Sequence, residues 1–165
     1  MASADGELRK VVRRILSDIR VELGDEFDQN FERQGFFSEK WQRRKSPIRG
    51  DGHILVASGD LRKSIRSRSD ESSITFYSDL AYAGIHNEGG EIKVTARMKR
   101  FFWHKYHETK DEFWKAMALM KVGKTIKIPR RQFLGMAPEV ETEVRKIIED
   151  NLTQYFEHDF NINTK

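Results

Sequence analysis

The chain has 165 residues, a length typical of one domain, and 34% of them are charged, against about 25% in an average globular protein. We therefore expect a modest core beneath an unusually ionic surface. The absence of cysteine excludes disulfides, thiol nucleophiles and thiolate metal sites, and no apolar run approaches the ~18 residues of a membrane span. The expectation is a soluble protein made in the cytoplasm, with a single domain over residues 1–165 and no membrane contact.

Residues 5–34 have the spacing of a long amphipathic helix, with apolar side chains at three- and four-residue steps. The following segment, residues 38–58, has no helical period and contains a proline and two glycines, which indicates an extended loop. Long irregular segments in compact domains are usually functional or mobile. Within this loop, residues 53–58 are expected to form a short extended element.

Two short elements come next. Ser58 or Asp60 is expected to cap a short helix that places Leu61 and Ile65 on one face. Residues 74–77 alternate apolar and polar side chains, as in a half-buried strand.

The stretch YAGIHNEGG, residues 82–90, is interpreted as a structural corner. Residues 82–85 are expected to form one helical turn, and Gly89 and Gly90 to adopt backbone conformations closed to other residues before the next strand begins. His86 is expected to pack or to hydrogen-bond locally, without a chemical role.

The second half of the chain begins with a basic, aromatic-rich insertion, residues 98–124, which folds as one interrupted helix or as two short ones. A short strand follows and ends at Pro129. A second long amphipathic helix begins at Pro138, since proline is favoured in a first helical turn, and residues 158–165 are expected to form a flexible tail. Together the elements predict an α+β fold in which two long amphipathic helices pack a small, mainly antiparallel sheet.

Three patterns resemble parts of catalytic or ligand sites, and each is incomplete. Residues 121–125 end like a phosphate-binding loop but lack its first glycine. His104 and His107 are three residues apart, whereas a metalloprotease helix has histidines four apart around a glutamate. Neither Ser58 nor Ser64 lies in the turn that presents a serine nucleophile to a histidine. We therefore predict a protein that is not an enzyme, without catalytic, cofactor-binding or metal-binding residues.

Charge is distributed unevenly, although the net charge is only +4. Residues 40–68 carry nine Lys or Arg against two Asp or Glu, residues 97–131 carry eleven against three, and residues 138–160 carry two against seven. The basic segments interleave cations with aromatic rings, as surfaces that bind nucleic-acid strands do. The other interpretation is a basic face that docks onto an acidic one.

Three motifs occur in order along the chain. Their residues are Gly59, Leu61, Ser64 and Ile65 in the first, Tyr82, Ala83, Ile85, His86, Gly89 and Gly90 in the second, and Ile128, Pro129, Arg131, Phe133, Leu134 and Gly135 in the third. In this order and spacing the chain resembles the phage virion morphogenesis family, the tail-completion proteins of Mu-like and related phages and prophages. The resemblance covers roughly residues 8–157. Arg130 and Gln132 depart from the family pattern, which favours a small residue and a proline there.

The resemblance implies a structural virion protein, without known catalysis, that acts in tail completion or at the head–tail junction. Its partners would be other phage tail or neck proteins and further copies of itself in a ring, and any DNA contact would be weak and unspecific. It would be assembled into the virion in the cytoplasm of the bacterial host. The alternative that the residues leave open is a basic nucleic-acid-binding accessory protein.

A ring requires two different patches on each subunit. We expect the basic segments to meet the acidic helix 138–157, with charge steering the encounter and buried aromatic rings supplying most of the affinity. The loop 38–58 is expected to become ordered, or to reorder, on contact. The candidate interface residues are Trp41, Arg43, Arg44, Lys45, Trp103 and Trp114.

Overall fold

The computed structural model describes residues 4–44 and 53–162, with side chains over residues 6–44 and 53–157. Two long helices, α1 (Ala4–Arg33) and α6 (Pro138–Ile162), confirm the predicted amphipathic pair and pack against each other. α6 includes residues 158–162, the first part of the segment expected to be a tail. No described helix combines the length and the apolar character needed to cross a bilayer.

Side-chain pairs show that α1 and α6 run antiparallel. Arg14, in the first half of α1, donates to Gln154 at 2.6 Å, and Asp18 accepts from Asn151 at 2.9 Å. A hydrophobic cluster lies between the helices, and burial of each large apolar side chain in it is worth roughly 1.5–3 kcal/mol. Its buried members are Ile19, Leu23, Phe27, Phe36 and Val140.

The described strands form three separate two-stranded antiparallel sheets. β1 (Gly35–Phe36) pairs with β2 (Glu39–Lys40), β3 (Ile65–Ser69) with β4 (Ile74–Ser78), and β5 (Gly90–Lys93) with β6 (Thr125–Ile128). The α+β class and the antiparallel pairing are confirmed, but the strands do not join into one sheet. The reason is that the strand pairs have different neighbours. The β3–β4 pair lies on α1, where the rings of Phe76 and Phe27 meet edge-on with centroids 5.0 Å apart. Strands β5 and β6 instead flank the helical insertion.

Four shorter helices lie between the strands. They are α2 (Asp60–Lys63), α3 (Ala83–Glu88), α4 (Ala96–Thr109) and α5 (Glu112–Ala118). Of the two alternatives for the insertion, two helices are correct, and α4 and α5 form a hairpin that packs chiefly on itself. Side-chain oxygens of Thr95 and Asp111 accept from backbone N–H groups in the first turns of α4 and α5, at 3.1 and 2.8 Å. Between the helices Lys110 has a left-handed conformation, and Phe102 stacks on Trp114 at 6.0 Å.

Three local predictions between residues 53 and 65 are wrong, among them the N-cap of the short helix at Ser58 or Asp60. Residues 54–58 form turns and bends instead of an extended element, and Leu55 has a φ of +64°. Ile65 does not share a helical face with Leu61, because it begins β3. β3 has a single apolar residue, so its sequence carries no visible alternation. The N-cap of α2 is Gly59, with no side chain capping the helix.

A second hydrophobic cluster gathers residues from all three sequence motifs. Its buried members are Phe31, Trp41, Ile54, Leu61, Ala83 and Phe133. The motifs, which lie far apart in the sequence, therefore converge on one part of the core.

Candidate functional site

The third motif continues from β6 as an irregular segment, residues 128–136, whose backbone is held by side chains from elsewhere in the chain. The indole N–H of Trp41 donates to the carbonyl of Gln132 at 2.7 Å. The side-chain N–H of Asn30, a fully buried residue at the end of α1, donates to the carbonyl of Phe133 at 3.3 Å. Buried backbone groups need such partners because water does not reach them. The segment is thus fixed in position, although beyond Ile128 it belongs to no sheet or helix.

The second motif also holds this segment. The side-chain oxygen of Asn87, in α3, accepts from the backbone N–H groups of Phe133 and Leu134 at 2.9 and 3.0 Å. The backbone carbonyl of His86 accepts from the N–H of Arg131 at 2.8 Å. The stretch YAGIHNEGG is therefore a corner, as predicted, and it forms one unit with the third motif.

Gly89 shows how closely the two motifs approach each other. Its φ is +76°, and a Cβ built there would lie 2.8 Å from the backbone nitrogen of Arg130 and 3.1 Å from the carbonyl oxygen of Ile128. Real Cβ atoms do not approach backbone so closely, and the left-handed conformation itself favours glycine. The prediction that this position requires glycine is confirmed, and the reason includes the contact as well as the conformation.

The first motif is fastened to α1 by an ion pair that the sequence did not suggest. Arg62 donates to both carboxylate oxygens of Asp28, at 2.6 and 2.5 Å, and also contacts Glu32. Arg62 lowers the pKa of Asp28, and the two carboxylates raise the pKa of Arg62. Bidentate guanidinium–carboxylate pairs fix geometry as well as charge, so α2 is held at a defined place on α1.

Arg131 is the most deeply buried cation of the motifs, with 8% of its surface exposed. Its Nε and Nη2 atoms donate to the backbone carbonyl of Gln42, at 3.2 and 3.1 Å. Burial, and in second place the nearby charge of Arg44, lowers the pKa of Arg131. Within residues 4–44 and 53–162 no carboxylate forms an ion pair with Arg131. It is therefore a buried positive charge that backbone oxygen alone compensates in the described structure.

A cleft of about 310 Å³, here called the Arg131 cleft, opens beside this guanidinium. Burial, and in second place the charge of Arg131, lowers the pKa of His86, which favours a neutral imidazole. The Nδ1 atom of His86 is buried and has no hydrogen-bond partner in the described part of the chain. The residues around the cleft include Arg44, Leu55, Leu61, Tyr82, His86 and Arg131.

A second and larger concavity, of about 710 Å³, lies between α5 and the β5–β6 pair and is here called the α5 groove. Arg44 and Arg131 border this groove as well as the Arg131 cleft, so the two cations stand between the two spaces. Arg43, Glu91 and Lys127 add charge to its lining. Its apolar lining consists of Phe113, Met117, Ile126, Ile128 and Pro129.

The six candidate interface residues differ in position and exposure. Trp41 is in the core with 7% of its surface exposed, so its ring is not available to a partner in this conformation. Arg43 is exposed and Arg44 half-buried, and both line the α5 groove. Trp103 is 36% exposed on α4.

Trp114 is half-buried and packs against Phe113 of the groove wall, with ring centroids 5.2 Å apart. Lys45 lies outside the described residues.

The patterns considered for catalysis stay incomplete in three dimensions. Ser64 donates to the carbonyl of Leu61 at 2.7 Å and shares a hydrogen bond with Ser78. Ser58 lines the Arg131 cleft with His86, but no hydrogen bond joins them among the described residues. No three His, Asp or Glu side chains in residues 4–44 and 53–162 are grouped as metal ligands.

Sequence reasoning missed Asn30, Asn87 and Arg62, which fasten the motifs to the rest of the fold. Asn87 stands inside the quoted corner, and asparagine commonly hydrogen-bonds backbone in turns, which is the signal that marks it. Asn30 gives no such signal, because it lies inside a long helix and its partner is 103 residues away.

Comparison with known proteins gives one match. No curated protein and no solved structure shows significant similarity to the chain. The sequence model of the phage virion morphogenesis family matches residues 3–153, which include all three motifs, the whole of α1 and α6 as far as residue 153. The chain belongs to the phage virion morphogenesis family.

Proposed function

We propose that this protein is a non-enzymatic structural component of phage or prophage virion assembly that acts in tail completion or at the head–tail junction. The observation that carries the proposal is the use of the motif residues. They hydrogen-bond and pack against one another. Trp41 and Asn87 add the bonds that fix the 128–136 segment, and two open concavities lie beside it. Such an arrangement suits the presentation of a rigid contact surface to other proteins.

The proposed partners are other tail or neck proteins and further copies of this chain arranged in a ring. The basic residues Arg43 and Arg44, with Lys45 beyond the described residues, meet the acidic α6 helix of a neighbour. An exposed ion pair contributes only about 0.2–1 kcal/mol, so apolar contacts at the α5 groove and on α4 supply most of the affinity. Trp103 and Trp114 are the proposed aromatic contributors, and the protein ends in the virion after assembly in the host cytoplasm.

The test is complementation of a phage or prophage that lacks the gene. Arg43→Glu combined with Arg44→Glu is expected to fold, by circular dichroism, and to leave unjoined heads or unfinished tails in electron micrographs. The matched control reverses Arg13 and Arg68, which are exposed elsewhere on the molecule, and changes the net charge by the same amount. Full infectious titre from the first variant would show that the basic residues are a solvated surface and that this contact does not exist.

A second candidate function, nucleic-acid binding, is favoured by one observation. Phe101 and Trp103 expose their rings on the basic helix α4, with 49% and 36% of their surfaces accessible. Exposed rings beside cations can stack on unpaired bases. Titration with labelled duplex and single-stranded DNA at two salt concentrations tests it. We expect weak binding without sequence preference that fades as salt rises, and a sequence preference that survives high salt would support this second function.

A further inference from the structure

Arg44 and Arg131 form a pair of cations whose hydrogen bonds within the described structure go to backbone carbonyls. Arg131 donates to Gln42, and Arg44 donates to the carbonyl of His53 at 3.3 Å. Burial, and in second place the charge of Arg44, lowers the pKa of Arg131, so the protonated guanidinium of Arg131 lacks full compensation. Two like charges held together at low solvent exposure are stabilised by an anion that reaches both of them.

The lining of the α5 groove, beside Arg44 and Arg131, indicates which kind of anion would bind there. The α5 groove is lined mainly by apolar side chains, including Phe113, Met117 and Ile128. A DNA backbone carries its charges on a polar strand and has no apolar group to fill such a groove. A protein segment with a carboxylate next to a large apolar side chain satisfies both the cations and the groove.

The last turns of α6 have this composition. Phe156 is 52% exposed, and Glu149, Asp150 and Glu157 are exposed within the same stretch, residues 149–157. Glu149 and Phe156 are seven residues apart, so they lie on one helix face about 10 Å from each other. In the described structure this aromatic and acidic surface faces solvent, because the opposite side of α6 packs on α1.

We propose that the α5 groove of one copy receives the last turns of α6 from a neighbouring copy. Phe156 enters the apolar groove, and a carboxylate of the same face pairs with Arg44 and Arg131. The contact is heterologous, because the groove and the end of α6 are different patches, and a heterologous contact generates rings or filaments. The proposal rests on the proposed self-association and assigns residues to it.

The test measures the groove separately from assembly. A fluorescein-labelled peptide of residues 145–160 is titrated with the full-length protein by fluorescence anisotropy. Arg44→Glu is expected to weaken binding at least about tenfold, because it replaces an attraction with a repulsion. Arg68→Glu, the matched control on exposed β3, is expected to leave it unchanged. Arg44 is used because Arg131→Glu would bury a carboxylate and endanger folding.

Changes in the peptide test the other half of the contact. Phe156→Ala, and separately the joint change Glu149→Gln, Asp150→Asn and Glu157→Gln, are each expected to weaken binding at least about tenfold. Equal binding of all peptides, or equal binding to the wild type and to Arg44→Glu, would overturn the proposal. Displacement of the wild-type peptide by a 20-base-pair duplex, abolished by Arg44→Glu, would also overturn it in favour of a phosphate site.

Analytical ultracentrifugation of the full-length chain gives the independent reading. Self-association that persists in Arg44→Glu and in Phe156→Ala would overturn the groove assignment and leave the proposed self-association intact. Peptide binding with the expected pattern in a chain that stays monomeric would show that the groove binds such a segment, but it would overturn both the proposed self-association and the contact between copies.

Discussion

Asn87→Ala removes the side-chain oxygen that accepts two backbone N–H groups of the 128–136 segment. Phe133 is buried, with 1% of its surface exposed, so its N–H would lose its partner where water has no access. An unsatisfied buried donor costs about 1–3 kcal/mol. Leu134 is only partly buried, so water replaces part of that second bond. The expected decrease in the free energy of unfolding is about 2–4 kcal/mol.

Urea denaturation followed by circular dichroism measures this decrease as a lower midpoint at unchanged slope. Asn87→Asp keeps an acceptor oxygen and is expected to lose less than Asn87→Ala. Gln29→Ala changes an exposed residue of α1 and is expected to stay within about 0.5 kcal/mol of the wild type. A loss below about 0.5 kcal/mol in Asn87→Ala would refute the reasoning, since the segment would then be held by other contacts.

Three further predictions concern the three motifs. Gly89→Ala is expected to destabilise the protein by at least about 1–2 kcal/mol. Gly84→Ala is expected to be neutral or stabilising, because nothing lies within 4 Å of the Cβ that it adds to α3. Equal effects of the two changes in thermal unfolding would contradict this prediction. Arg62→Ala removes the partner that holds the pKa of Asp28 below its ordinary value. Because the pair is partly exposed, the expected loss in the free energy of unfolding is below about 1 kcal/mol at neutral pH. This loss should vanish as pH falls from about 3.9 through the lower folded-state pKa of Asp28. Burial lowers the pKa of His86, so the unfolded chain binds the proton first as pH falls below about 6.5, and the free energy of unfolding decreases. His86→Gln should flatten the dependence of this free energy on pH in the same range. An unchanged slope would contradict the lowered pKa of His86.

Prediction from sequence succeeds here where the signal is periodic and local. Apolar residues at three- and four-residue steps predict the two long helices, and alternating apolar and polar residues predict β4. β3 could not be predicted in this way, because Ile65 is its only apolar residue and its partner strand determines its conformation. The same limit explains the three separate sheets, since pairing between strands depends on contacts that no single strand encodes.

The candidate site shows a different limit. Trp41 in an irregular segment suggests a partner contact, yet its ring is buried against Phe31 and Phe133 and its N–H is satisfied by Gln132. A tryptophan has the same local sequence whether its partner is in the same chain or in another. The position of Asn87 in the corner indicates a backbone hydrogen bond, but the N–H groups that it binds are 46 and 47 residues away, so the sequence does not identify them.

The α4–α5 hairpin has a consequence for experiments on the assembled particle. Backbone bonds from Val94 to Lys124 and from Gly123 to Val94, at 2.9 and 2.8 Å, close its base where it leaves β5 and rejoins β6. The turn at Lys110 lies at the far end of the hairpin, is exposed and is flanked by helices that carry their own caps. A short epitope inserted at this turn would lengthen a connection between two finished helices, and loop length has a weak effect on stability. The turn is thus a suitable place for a label that would test where in a phage particle this chain lies, by electron microscopy, without disturbing the corner formed by the motifs.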